Sequence, residues 1–195
     1  MISIEEKLEK AVVGIAGLGG LGSTVAHALA RTNIGRLVIA DFDVIEQGNL
    51  NRQQYFTDQI GTAKVEAMLE NLKRINPDIE IQPYKIKLTA ENIPEIFTDA
   101  HVIVECFDRA DQKQMIVETG LNKMENTVIV AASGLAGFGN SNSILTKRIS
   151  KRLIMVGDNQ SDAELVGQLT AGRVWIAAAH QANAVVEVLI NEILS

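Results

Sequence analysis

Cysteine is nearly absent from this sequence of 195 residues, which contains only Cys106. The chain can therefore form no internal disulfide, and it offers no four-cysteine zinc site. Long apolar runs are also missing, because no stretch approaches the roughly 18 residues of a membrane span. The N-terminal MISIEEKLEK lacks the basic start and apolar core of a signal peptide. We therefore expect a cytoplasmic protein without structural zinc and without a membrane partner.

Positive charge is in deficit too, since 18 Lys and Arg residues stand against 24 Asp and Glu, a formal net charge of −6. This balance argues against nucleic acid or anionic lipid as the main partner. The hydrophobic share of 47% and the charged share of 22% are those of an ordinary globular protein. The length suits one domain, residues 1–195, with a sizeable core.

Short apolar, β-rich runs alternate with helical patterns along the chain. The pattern predicts strands at 11–17, 36–41, 79–88, 100–108 and 127–133, helices at 23–32, 61–76, 110–125 and 172–194, and a hairpin at 143–156. Such alternation predicts an α/β fold, a doubly wound, mostly parallel Rossmann-like sheet with right-handed crossovers. The hairpin and a long C-terminal helix complete it.

The segment GLGGLG follows the first predicted strand and opens the first predicted helix, with Gly17, Gly19 and Gly22 in a G-x-G-x-x-G pattern. Glycines permit a tight turn and let the backbone approach a phosphate, which the positive end of the helix attracts. Asp41 ends the next strand, where a carboxylate can accept hydrogen bonds from ribose hydroxyls. We expect this turn, with Gly20 included, to bind a nucleotide.

The basic and acidic residues that follow favour a triphosphate over the diphosphate of a nicotinamide cofactor. Asn49 and Arg52 come soon after Asp41, and Lys64 lies in the first turn of the next predicted helix. Asp108 ends the strand 100–108, at the sheet edge where ligands of open α/β folds collect, although it could simply cap the next helix. Chemistry on a triphosphate needs such cations and a metal.

The stretch from GLGGLG to KRINP resembles the nucleotide-binding core of the ThiF/MoeB/ubiquitin-activating-enzyme superfamily, and most closely the compact ThiF-like branch. The similarity is close over 11–108 and looser through VAASGLAGFGNS and the last helix. The motif D-x-D-x-(V/I)-x-x-x-N-L-x-R-Q, followed by I-G-x-x-K, carries it. The resemblance implies ATP-dependent adenylation of the C-terminal glycine of a small β-grasp sulfur-carrier protein, ThiS-like and ending in Gly-Gly, in thiamine biosynthesis. It also implies a homodimer.

The resemblance further assigns roles to individual residues. Asp41 would bind the ribose, Asn49 and Arg52 would bind the phosphates, and the adjacent Gln53 would also belong to the nucleotide site. Catalysis would rest on Arg52, Lys64 and Asp108, with Asp108 holding Mg²⁺ beside the triphosphate.

The sequence departs from the family pattern at several points. It lacks the two C-x-x-C pairs of zinc-containing relatives, and SGLAGFGNSNS lacks the cysteine of relatives that form a thioester. We predict that Cys106 is buried and inert, so that the reaction stops at the adenylate. Gly48 replaces a common Ser. Relatives lend an Arg from the N-terminal helix of the dimer partner, whereas only Lys7 and Lys10 are available here.

Three other functions stay open at this level. A dehydratase acting on a modified adenosine in tRNA would share every nucleotide-site residue, and a non-catalytic relative could bind a carrier as a scaffold. A nicotinamide dehydrogenase would leave Arg52, Lys64 and Asp108 without roles.

Side chains late in the chain have simpler interpretations. The basic cluster of Lys147, Arg148, Lys151 and Arg152 is either a solvated hairpin or a docking surface for an acidic carrier. His180 is predicted to be a packed or capping residue, and Trp175 is predicted to lie in the core. The Ala-rich stretch 176–186 is predicted to pack closely on another helix.

Overall fold

The computed structural model describes residues 3–158, 160 and 169–193. The strands are β1 (Val12–Ala16), β2 (Arg36–Ala40), β3 (Glu80–Tyr84), β4 (Val102–Glu105), β5 (Val128–Ala132), β6 (Leu145–Ser150) and β7 (Leu153–Gly157). The helices are α1 (Ile4–Glu9), α2 (Gly20–Arg31), α3 (Lys64–Ile75), α4 (Ile93–Ile96), α5 (Ala110–Lys123) and α6 (Ala171–Val188). A π-helical turn, Leu189–Ile193, extends α6.

All seven strands form one sheet in the order β3-β2-β1-β4-β5-β7-β6. Every neighbouring pair is parallel except β6 and β7, which form the predicted antiparallel hairpin. The order of the strands reverses between β1 and β4, and ligands of open α/β sheets bind at such a switch point. The predicted doubly wound sheet is confirmed.

Both faces of the sheet are covered by helices. Val13 and Ile15 of β1 belong to a core that includes residues of α2, α3 and α6, whereas Val12 and Ala16 belong to a second core formed with α4 and α5. The alternation follows from the two-residue period of a strand. A strand covered on both faces is largely apolar, which explains the apolar runs of β1 and β5 and of β4 up to Glu105.

The strand predicted at 79–88 is shorter in the structure. β3 lies at the edge of the sheet and pairs only with β2, in a register that matches Ala40 with Tyr84. Since β2 ends at Ala40, no neighbouring strand remains to pair with the chain beyond Tyr84. The chain turns there, and Ile86 N–H donates to the Tyr84 carbonyl oxygen.

The last helix packs against α2, as the Ala-rich stretch predicts. Ala177, Ala178 and Ala182 are buried, and their small side chains allow the two helix axes to approach. The helical pattern predicted to 194 continues as the π-helical turn to Ile193, and residue 194 lies outside the described residues. No helix within 3–158 or 169–193 is long and apolar enough to cross a bilayer.

Half of the basic cluster has a structural role. The Arg152 guanidinium donates to the main-chain oxygens of Leu121 and Met124, at 2.5 Å and 2.8 Å, and so caps the end of α5. Arg148 pairs with Glu192. The docking alternative therefore remains a prediction for Lys147 and Lys151 only.

Candidate functional site

A cavity of about 1010 Å³ lies beyond the carboxyl ends of β1, β2, β4 and β5. The glycine turn after β1 forms one wall, and the loops after β2 and β4 form the next two. A fourth wall consists of Ser133 to Ala136, small residues except for Leu135, together with Leu169 and Val174 near the start of α6. The volume suffices for a nucleotide and the end of a second substrate.

The glycine turn has the conformation that its sequence predicts. Gly17 has a φ of +91°, a conformation that would be strained for a residue with a side chain. Gly19 is the N-cap of α2. Within the described residues no side chain caps this helix, so its first N–H groups remain available to an anion. Gly22 does not line the cavity. A Cβ there would lie 1.9 Å from the Gly17 carbonyl oxygen, so its role is to let α2 pack against the turn.

Asp41 follows β2 and is buried at the floor of the cavity. Its Oδ2 accepts a hydrogen bond of 2.6 Å from Leu18 N–H, and its Oδ1 accepts one of 2.9 Å from Asp43 N–H. A carboxylate has about four acceptor positions. Capacity therefore remains for the ribose hydroxyls that the sequence assigns to Asp41.

Tyr55 stabilises the same turn through a hydrogen bond. Its hydroxyl donates to the Leu18 carbonyl oxygen at 2.9 Å. Burial raises the pKa of Tyr55 well above its usual value, and the carboxylates of Asp41 and Asp43 add to the rise. The phenol is therefore neutral and serves as a donor.

Lys64 is the first residue of α3, where the positive end of the helix disfavours a cation. Its ammonium is buried, 2.7 Å from Asp43 Oδ2 and 4.0 Å from Asp41 Oδ2. The two carboxylates explain why a lysine is tolerated there. Because both of them line the cavity, they hold the ammonium at its edge. Sequence reasoning missed Asp43, although the DFD pattern could have indicated it.

Arg52 and Gln53 both line the cavity, on the loop after β2. The Arg52 guanidinium donates to Asn51 Oδ1 at 2.8 Å and to the Gly48 carbonyl oxygen at 3.3 Å. Gln53 is buried, and its Oε1 lacks a hydrogen-bond partner among the described residues. Because a buried acceptor left unpaired is costly, this oxygen indicates a donor on a ligand.

Asn49 is not brought to the cavity wall. Its Oδ1 accepts from Glu46 N–H at 3.0 Å, and its carbonyl oxygen accepts from the N–H groups of Arg52 and Gln53. Asn49 thus stabilises the turn that presents the other two. Its predicted contact with phosphate stays a prediction.

Asp108 is exposed at the cavity, beyond the end of β4. It does not cap α5, whose N-cap is Arg109, and no described residue makes a hydrogen bond or ion pair with its carboxylate. Mg²⁺ is commonly held by one or two carboxylates together with substrate phosphates and water, so Asp108 fits this ion. Among the residues described, no group of three or more His, Cys, Asp or Glu side chains suited to a metal occurs.

An ion pair that the sequence did not indicate lies beside the cavity and joins the half-buried Lys113 to the buried Glu105. Lys113 Nζ lies 3.0 Å from both carboxylate oxygens of Glu105 and donates to the Ala132 carbonyl oxygen. Glu105 also accepts from Phe107 N–H at 2.7 Å. Burial raises the pKa of Glu105, against the opposing effect of the Lys113 charge. The pair joins the ends of β4 and β5 just before the turn to Asp108.

Cys106 is buried beside the Glu105 pair, as predicted. Burial raises the pKa of its thiol well above the usual value, and the Glu105 charge raises it further. A thiol in this state is a poor nucleophile.

The start of α6 contributes two side chains whose positions were not foreseen. Arg173 is buried, pairs with Asp158 at 2.5 Å and donates to the main-chain oxygens of Gly139 and Asn140. Trp175 was predicted to lie in the core, which is wrong. It is 43% exposed, because its side chain reaches out from α6 and its Nε1 donates to the Arg52 carbonyl oxygen.

Two smaller expectations concern residues outside the cavity. His180 is half-buried, and its Nδ1 lies 2.9 Å from Thr146 Oγ1. Lys7, one of the two N-terminal lysines, donates to the Ile190 carbonyl oxygen at the end of the chain's last helix.

Curated relatives resemble part of the chain. It is 36% identical over 139 residues to "Adenylyltransferase and sulfurtransferase UBA4" of Eremothecium gossypii, which covers 71% of this chain and 31% of the relative. It is 30% identical over 135 residues to "Ubiquitin-like modifier-activating enzyme 5" of Oryza sativa subsp. japonica, covering 63% and 32% respectively. The chain thus spans about a third of the length of these relatives.

A solved structure resembles the whole fold. The E. coli tRNA N6-threonylcarbamoyladenosine dehydratase TcdA, in complex with AMP, has a TM-score of 0.82 and 21% sequence identity, with 95% of this chain and 88% of that chain covered. At this identity the similarity concerns the fold alone. The ThiF family matches residues 3–190, nearly the whole chain. The resemblance expected from the motifs is confirmed, and the chain belongs to the ThiF family.

Proposed function

We propose that the protein uses ATP to adenylate the C-terminal glycine of a small β-grasp sulfur-carrier protein of the ThiS type, releasing pyrophosphate, in thiamine biosynthesis. The observation that carries the proposal is the meeting of three positive features at one cavity. The uncapped N-terminus of α2, Arg52 and the buried ammonium of Lys64 all border it. A triphosphate needs this concentration of positive charge, and a dinucleotide does not.

The reaction needs no general base, since the carrier's terminal carboxylate is already ionised at neutral pH. One carboxylate oxygen attacks the α-phosphorus of ATP, and a new O–P bond forms as the bond to pyrophosphate breaks. The obstacle is the approach of one anion to another. Catalysis is then chiefly positioning and electrostatic stabilisation by this chain's own groups.

The residues would divide this work between binding and charge neutralisation. Asp41 would accept from the ribose hydroxyls, and the unpaired Gln53 Oε1 would accept from a donor on the nucleotide or the carrier. Arg52 and Lys64 would withdraw charge from the phosphates as pyrophosphate departs. A Mg²⁺ ion held by Asp108 would neutralise further phosphate charge when bound.

The room left beside the phosphate site supports a peptide as the second substrate. Ser133 to Ala136 form a wall of mostly small residues opposite the glycine turn. An extended chain end with glycines could reach the α-phosphate along such a wall. The adenylyltransferase name of the fungal relative points the same way.

The tRNA dehydratase is the second candidate, because the fold similarity includes an enzyme of that name. It would use the same nucleotide groups on a polyanionic substrate. The net charge of −6 disfavours this, since RNA binding relies on a positive surface.

Mass spectrometry of the carrier tests the proposal directly. The protein would be incubated with ATP, Mg²⁺ and ThiS-type carriers, each beside a version that lacks the terminal glycine. We expect one intact carrier to gain the mass of an AMP group and the truncated form to gain none. AMP transfer to no carrier would contradict the proposal.

A further inference from the structure

Trp175 connects the last helix to the loop that carries Arg52, although 122 residues separate the two positions. It is the fifth residue of α6, and its indole Nε1 donates to the Arg52 main-chain oxygen at 3.0 Å. Large apolar side chains are normally buried, whereas this one is 43% exposed. Packing alone therefore does not account for its position.

The backbone of Arg52 is held by two hydrogen bonds. Its N–H donates to the Asn49 carbonyl oxygen at 3.2 Å, and its carbonyl oxygen accepts from Trp175. Its aliphatic stem lies beside the first turn of α2, because a Cβ added at Gly20 would be 3.4 Å from Arg52 Cγ.

The guanidinium, in contrast, is held only by its own loop. Its hydrogen bonds to described residues go to the Gly48 carbonyl oxygen, four residues away, and to Oδ1 of the adjacent Asn51. Neither partner anchors it to the rest of the protein. The direction in which Arg52 extends over the cavity thus depends on how its backbone is fixed, and Trp175 supplies the one bond from another element to that carbonyl oxygen within the described part of the chain.

We propose that Trp175 is a positioning residue, which orients Arg52 toward the phosphates of ATP by holding its main-chain oxygen. The inference rests on the proposed function, because it requires ATP in the cavity. It assigns no chemical step to Trp175. The indole acts only through Arg52, so its contribution disappears when the arginine side chain is absent.

Calorimetric titration with Mg-ATP separates this role from a general structural one. The set comprises the wild type, Trp175→Phe, Arg52→Ala and the double variant. Phe retains an aromatic ring without the N–H, and the partial exposure of the site lets water satisfy the freed oxygen. We expect Trp175→Phe to weaken ATP binding about fivefold, as loss of one hydrogen bond would. In the Arg52→Ala background the same change should have less than a twofold effect.

The matched control is Thr146→Val, which removes a side-chain hydrogen bond of 2.9 Å to His180 on the same helix, away from the cavity. Its ATP affinity should equal that of the wild type.

A second replacement of Trp175 guards against a packing effect of Phe. Because Trp175 is the only tryptophan, growth on the benzothiophene analogue exchanges its N–H for sulfur at this position alone. The same fivefold loss is expected.

The outcomes separate the two claims. A wild type that does not bind ATP would overturn the proposed function and this inference with it. ATP binding by the wild type, with an undiminished fivefold effect in the Arg52→Ala background, would overturn the positioning role alone. So would unchanged affinity in both Trp175 replacements.

Discussion

The ammonium of Lys64 lies 2.7 Å from one carboxylate, Asp43, and 4.0 Å from a second, Asp41, at the edge of the cavity. All three groups come from the motif that begins at the end of β2 and finishes at the start of α3. The lysine satisfies a buried carboxylate and brings positive charge to the cavity. A change at Lys64 should therefore affect stability and ATP binding together.

Lys64→Met should weaken ATP binding about tenfold and lower the free energy of unfolding by about 2 kcal/mol, because Asp41 is left buried without its nearby cation. Calorimetric titration and urea unfolding measure the two effects. Lys85→Met is the control, since Lys85 pairs with Glu66 across 3.7 Å on the surface and lies outside the cavity lining. It should change the unfolding free energy by less than about 0.5 kcal/mol. Unaltered ATP affinity in Lys64→Met would remove the lysine from the site.

Asp108→Asn should leave the fold intact and reduce ATP-dependent turnover about a hundredfold, because the residue is exposed and its charge is needed only for the metal. The melting temperature and the initial rate at saturating Mg²⁺ test the two halves of this statement. Asp78→Asn changes an exposed carboxylate outside the cavity lining, and its rate should stay within twofold. Equal rates for Asp108→Asn and the wild type would show that Asp108 takes no part.

Gly22→Ala should destabilise the protein by about 3 kcal/mol, since the new methyl group would meet the Gly17 carbonyl oxygen at 1.9 Å. Gly172→Ala, also in a helix, meets nothing within 4 Å. There the better helix propensity of Ala should leave stability equal or up to about 1 kcal/mol higher. Urea unfolding of both variants at pH 7 checks the contrast. Similar stabilities for the two would contradict the packing described for α2.

His27 should make stability depend on pH below neutrality. Burial, aided by the charge of Arg31, lowers its pKa from 6.5 to about 4. The unfolded chain therefore takes up a proton before the folded chain does. Stability from this group is fully present above about pH 6.5 and is lost as pH falls toward 4, by up to about 3 kcal/mol. His27→Gln should unfold with a shallower pH dependence in that window, and parallel curves for the two proteins would contradict the assignment.

The sequence predicted those residues of the candidate site that stand at the ends of strands or at the starts of helices. Gly17, Gly19, Asp41, Lys64 and Asp108 all follow strand ends or begin helices, and such positions meet at one edge of a parallel sheet. Their convergence on the cavity could therefore be anticipated. The exact ends of β3 could not, because they depend on where its neighbour stops.

The contacts that were not predicted join residues to partners that no local sequence pattern encodes. Arg152 and Arg173 donate to main-chain oxygens of distant segments, and any residue type can supply such an oxygen. Trp175 was assigned to the core because it stands at the start of an apolar helical pattern. Its indole instead bonds to a carbonyl oxygen on another loop. These contacts depend on the tertiary arrangement of elements, which spacing along the chain does not reveal.

Exchange of labelled pyrophosphate into ATP, with and without a β-grasp carrier ending in Gly-Gly, tests the central claim most directly. Reversible adenylation returns label to ATP only when the carrier's carboxylate is present. We predict exchange that depends on the carrier and falls at least tenfold in Arg52→Ala. ATP binding without exchange for any such carrier would contradict the account, and ATP consumption that depends on tRNA would favour the dehydratase.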